Sequence, residues 1–162
     1  MGSEMCIRDR FMRTVIAGYC RTPFHRAHRG LLKDTRPEDM VATAVKSVLE
    51  RTSVEPNHIE DLMLGCAYPE GSQGYNIAKI VSFMTDMPEH VGGMTINRWC
   101  GSSMQAIHSA AGAISMDAGK VFICCGIESM TSVPINGLNY SPHPDLLKDC
   151  LLYTSPSPRD LS

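Results

Sequence analysis

Short apolar runs alternate with longer stretches of helical period along most of this chain, and that alternation restricts its fold more than any other feature. Residues 14–19, 59–66, 91–96 and 121–125 read as strands, bounded by turn formers such as Pro23 and Pro69. Between the first two, Met40, Val41, Ala44, Val45, Val48 and Leu49 line one side of a helix that runs to Arg51. Thr35 beside the N-cap, Pro37 and Glu38 signal its start. A second helix is expected over 76–85 and a third over 100–116, the latter stopped in left-handed backbone at Ala118-Gly119. The later strands are apolar throughout instead of alternating, as strands covered on both faces are. The order β-α-β-α-β-α-β therefore predicts an α/β fold, a mainly parallel sheet covered by helices. After Pro134 the pattern gives way to turn formers without apolar period.

Within that pattern the sequence NRWCGSSMQA at 97–106 sets Cys100 where the third strand turns into the third helix. Gly101 and Ser102 supply a tight polar first turn, and Met104, Ile107, Ala111 and Ile114 recur behind them at helical spacing. Unpaired backbone N–H groups and the positive end of the helix dipole at such a corner favour a thiolate over a thiol. A sulfur so placed can attack an acyl carbonyl.

Composition removes several other classes. The 162 residues, 43% hydrophobic and 20% charged, suit one soluble globular domain. Lys and Arg number 15 against 17 Asp and Glu, and this net charge of −2 offers no pull toward nucleic acid or an anionic membrane. The apolar runs are far too short for a membrane span. Seven cysteines show no CxxC pair and no framework spacing, so neither a metal site nor disulfides are expected. Cys20, Cys66, Cys124 and Cys125 read as small buried hydrophobes. Cys124 and Cys125, adjacent on a strand, point to opposite faces and cannot form a redox or metal pair. Reduced thiols imply an intracellular, cytoplasmic setting.

The corner at 97–106 resembles the nucleophile motif of the thiolases, and three further segments are similar to that family in matching order: TVIAGYCRTPF at 14–24, GYNIA at 74–78 and GIESMTSVP at 126–134. The resemblance covers about residues 11–149 and only the N-terminal part of a thiolase, whose layered fold needs a chain more than twice as long. It implies acyl transfer to and from coenzyme A, either thiolytic cleavage of a 3-ketoacyl-CoA or the reverse condensation. Cys100 would carry the acyl group as a thioester, with its own backbone N–H in the oxyanion hole. Met104 and Met130 would border the acyl pocket, and 134–149 would begin the substrate-covering excursion. Coenzyme A enters as a substrate, no cofactor is bound covalently, and the full-length parent is expected to be a homodimer or homotetramer. The CGSSMQ form with Trp99 resembles the degradative, β-oxidation members of the family.

The family's base, a histidine in a GHP motif, and its second cysteine, in CxGxGxG, have no counterpart in this sequence. None of the six histidines present replaces them. His108 lies eight residues after Cys100, about 12 Å of rise and roughly 80° of rotation away, and reads as a core or second-face residue. His25, His28, His58, His90 and His143 fall in loop-like segments and read as surface residues. Glu128 suits a backbone-bound anchor better than a proton carrier, and Asn97 a turn-shaping residue. This polypeptide is thus expected not to complete a turnover by itself. Two other readings stand beside the thiolase one: a ketoacyl-synthase-type condensing enzyme, disfavoured by the RTP and ESM strings, and a non-catalytic lipid-carrier-like or inert fragment.

Both ends read as foreign to the domain. One DNA string resembling a transposase-type sequencing adapter encodes residues 1–10, and its reverse complement encodes residues 150–160. The tails 1–10 and 150–162 are therefore set apart from the fold. Without Arg8, Arg10, Arg159, Glu4, Asp9 and Asp160 the counts become 12 basic and 14 acidic, and the net charge stays at −2.

Overall fold

The computed structural model describes residues 13–145, and among these described residues three parallel strands and three α-helices, with two short 3-10 turns, make up the regular structure. The expected adapter-derived tails lie outside the described residues. Strands β1 (Asp61–Gly65), β2 (Gly92–Ile96) and β3 (Phe122–Gly126) form one sheet in the order β2-β1-β3. Asp61 pairs with both Gly92 and Phe122, and Gly65 with both Ile96 and Gly126, so all three strands end level. That common carboxyl edge is where loops of an open parallel sheet converge on a site.

Helices α1 (Pro37–Thr52) and α2 (Ile77–Met84) cover one face of the sheet. Val41 and Val45 of α1, Ile77, Ala78 and Val81 of α2, and Leu62 and Leu64 of β1 share that core with Ile59 and Val91. Helix α3 (Ser102–Ser115) covers the other face, where Ala106 and Ala110 meet Met63. The alternation along β1 assigns its residues to the two cores as the pleat requires, and β1, flanked and covered on both sides, is buried from Leu62 to Gly65. Cys125 packs in the α1/α2 core and Cys124 in the α3 core, the opposite faces expected of strand neighbours.

Helix α1 begins as expected, with Thr35 beside the N-cap, Arg36, which makes no side-chain cap bond. Three expectations are corrected. Residues 14–19 form no strand, and Val15, Ile16 and Tyr19 are exposed; an apolar run becomes a strand only against a partner, and neither sheet edge takes it. The left-handed stop of α3 is Asp117, φ 56°, with Gly119 following at φ 157°. The face of α3 that meets the sheet is not the stripe of Met104 and Ile107, both exposed, but Ser102, Ala106 and Ala110. Contact distance explains this inversion. A Cβ on Gly65 would overlap the Ser102–Ser103 backbone, and one on Gly126 would come within 2.7 Å of the Ser103 Cβ. Helix and strand ends approach so closely that only small residues fit between them, and the large ones point away.

Candidate active site

Cys100 occupies the bend between β2 and α3, two residues before the helix begins, and is the exposed cysteine among the five described, all of them free. Hydrogen bonds at both ends hold this bend. The side chain of Asn97 accepts from the backbone N–H of Trp99 at 2.9 Å, an Asx turn, and donates to the carbonyl of Ala67 at 2.9 Å. The buried Ser102 hydroxyl accepts from the N–H of Arg98 at 2.8 Å and donates to the carbonyl of Trp99. Arg98 in turn donates to Gln105 at 2.6 Å, tying the bend to the second turn of α3.

These bonds hold Trp99 at φ 46°, in left-handed backbone that a residue with a Cβ adopts at a cost of roughly 1–2 kcal/mol. Its ring is 75% exposed, so burial of the indole does not compensate the strain. Backbone strain of this kind, enforced by surrounding bonds, concentrates at functional sites.

The carboxyl ends of β1 and β3 are joined to the same bend. Glu128, just past β3, accepts from the N–H of Ala67 at 2.8 Å and from the Gln73 amide at 2.8 Å, so each of its oxygens has a backbone or side-chain donor. This is the anchor arrangement expected of it. Gln73 is fully buried in a single 3-10 turn, Gly71–Gln73; it also donates to the Tyr68 carbonyl at 2.8 Å and accepts from the N–H of Ser129. Ser102 was legible as part of the polar first turn, whereas nothing in the sequence marks Gln73 as a member of the site. Neither breaks a hydrophobic period; the one available signal was a small polar residue in the first turn of α3.

Cys66, Cys124 and Cys125 sit in environments that oppose ionisation. Burial, with the nearby Glu128 charge, pushes the Cys66 thiol up to about 11. Burial beside Cys124 pushes Cys125 up to about 12, and burial with Asp61 raises Cys124. Met104 lies on α3 four residues past Cys100, exposed, and Met130 lies in the turn after β3. Met130 lines a cleft of about 180 Å³ walled by the loop at 22–27, whereas Cys100 and Met104 do not line it. All six histidines are exposed, His108 on the face of α3 turned from the sheet. Among the described residues no group of three or more His, Cys, Asp or Glu could hold a metal ion, and no helix is long and apolar enough to cross a membrane.

Residues 14–149 match the family model of the thiolase N-terminal domain. The chain belongs to the thiolase family. Among curated relatives, a 3-ketoacyl-CoA thiolase of Aeromonas hydrophila subsp. hydrophila is 42% identical over 130 residues, 79% of this chain and 34% of that protein. One of Idiomarina loihiensis is 41% identical over the same shares. The chain thus spans about a third of the length of these thiolases. A crystal structure of the Bacillus anthracis acetyl-CoA acetyltransferase superposes with a TM-score of 0.68 at 28% identity, covering 80% of this chain and 34% of that one. The parallel sheet covered by helices that the sequence leads one to expect is present, with three strands in place of four, and it matches a thiolase-like α/β fold.

Proposed function

We propose that this chain is the nucleophile-bearing part of an acyl-CoA C-acyltransferase that cleaves 3-ketoacyl-CoA thiolytically or runs the reverse condensation. The observation that carries the reading is Cys100 itself, the one exposed thiol described, on a strained bend at the start of α3. Its sulfur would attack the ketoacyl carbonyl and take the acyl group as a thioester. The acetyl-CoA carbanion leaves and is protonated, and coenzyme A then takes the acyl group from the sulfur. A positively polarised helix start stabilises the anionic sulfur and the tetrahedral oxyanion. Met104 and Met130 border the acyl chain in this reading, and coenzyme A is substrate, not resident cofactor. The histidine and second cysteine that move protons belong to the part of the parent that this sequence does not carry, so the chain by itself does not turn over. The parent works in the cytoplasm as a homodimer or homotetramer, and residues 11–149 are its share of the present sequence.

The test is acylation in the full-length protein. Incubation with acetyl-CoA should place an acetyl group on Cys100, found by peptide mass spectrometry, and Cys100→Ser should abolish it. A Cys100→Ser protein acylated as fast as wild type would reject the assignment.

A further inference from the structure

The hydrogen bonds behind Cys100 form one unbroken chain across the ends of all three strands. It runs from the N–H of Trp99 through the Asn97 side chain to the carbonyl of Ala67, and from the N–H of Ala67 through Glu128 to the buried Gln73. Each bond uses a different polar group, so the links do not compete and can all form at once. Asn97 and Trp99 are themselves exposed, and neither belongs to a hydrophobic core. Their bonds therefore fix geometry more than they stabilise the fold. The residue they fix in left-handed backbone is the immediate neighbour of Cys100, so its φ sets where the following sulfur points relative to α3.

We infer that Asn97 is a positioning residue for Cys100, anchored through the backbone of Ala67 by the Glu128–Gln73 pair. This rests on the reading of Cys100 as the nucleophile. Removing Asn97 deprives the Trp99 N–H of its acceptor and frees the bend from Ala67. Glu128→Gln acts at the far end without changing shape: a carboxylate accepts from both Ala67 and Gln73, whereas an amide has a single acceptor oxygen for the two donors.

Trp99 is the one tryptophan in the sequence, so its fluorescence reports on the bend directly. The experiment compares this chain with its Asn97→Ala, Asn97→Asp and Glu128→Gln variants. It measures the anisotropy decay of Trp99, the melting temperature, and site-resolved acetylation by a small acetyl thioester. Cys66 and Cys125 serve as indicators of an intact core. Asn97→Ala should slow acetylation of Cys100 by roughly tenfold to a hundredfold, the upper figure being the scale of a reacting group misplaced by about 1 Å. Trp99 should gain a fast depolarising motion, while the melting temperature and the protection of Cys66 and Cys125 hold. Asn97→Asp keeps the acceptor for Trp99 and loses the donor to Ala67, so it should fall between wild type and alanine. Glu128→Gln should loosen Trp99 in the same direction, by less. Wild-type rates and anisotropy in Asn97→Ala would overturn the proposal. So would a loss of rate in both Asn97 variants that comes only with exposure of Cys66 and Cys125, because that is unfolding. If wild-type Cys100 reacts no faster than Cys66, the nucleophile reading itself fails and takes the positioning role with it; a fast wild type unaffected by Asn97→Ala removes the positioning role alone.

Discussion

On the α1/α2 face of the sheet Ile59, Leu62, Leu64, Ile77, Val81 and Val91 are fully sealed, whereas on the α3 face the sealed groups are small, Ala106, Ala110 and Ser102, beside Met63. The first face buries bulk, and bulk removed from water is what holds a domain together. The second uses close backbone approach instead: Gly65 and Gly126 admit the first turn of α3 against the strand ends, which brings the Cys100 bend within hydrogen-bonding reach of the turn after β1, itself bonded to Glu128 past β3. The two faces thus divide the work. One supplies stability, and the other supplies the geometry of a reactive corner while leaving Met104 and Ile107 exposed.

Breaking the stability face should have the largest effect. Leu64→Ala, in the fully sealed centre of β1, should cost roughly 2–5 kcal/mol in urea unfolding, and a loss below about 1 kcal/mol would contradict the contrast. Gly65→Ala attacks the other face at its closest approach. It must push α3 from the sheet, at roughly 1–3 kcal/mol by the same measurement, and should slow acylation of Cys100 as the bend shifts.

A pH series sharpens the comparison further. Cys66, at about 11, and Cys125, at about 12, hold their protons more tightly folded than unfolded. The stability they lend is whole below the ordinary thiol value of 9.0 and is lost as pH rises through about 11 and then about 12. The melting temperature should therefore hold to about pH 9 and fall above it. A Cys66→Ala chain, weaker at the start, should fall less over that interval. The smallest effect belongs to the exposed stripe. Met104→Ala or Ile107→Ala should change unfolding stability by no more than about 0.5 kcal/mol, and a loss several times larger would mean that the stripe is packed.

Much of this was legible in the sequence because the α1/α2 face obeys the rules that make sequences readable. Val41 and Val45 recur at helical spacing, Leu62 and Leu64 alternate with Met63, and α2 lies within one residue of its expected bounds. The α3 face breaks those rules. Its inward stripe is Ser-Ala-Ala while its larger residues face out, so hydrophobic periodicity selects the wrong side. The segment at 14–19 has the composition of a strand, yet strand formation depends on a partner that local sequence cannot reveal. Within the site, Cys100, the anchoring of Glu128 and the turn-shaping role of Asn97 were visible as residue types in place. The left-handed backbone at Trp99 was not, since nothing marks a tryptophan for it, and Gln73 meets Glu128 and Ser129 through contacts 55 and 56 residues distant in sequence.

The most direct test is a competition among the thiols of the folded chain. With limiting iodoacetamide at neutral pH, peptide mapping should find Cys100 modified well ahead of Cys66, Cys124 and Cys125, with the order lost in urea. Modification of Cys66 or Cys125 before Cys100 in the native chain would contradict the account.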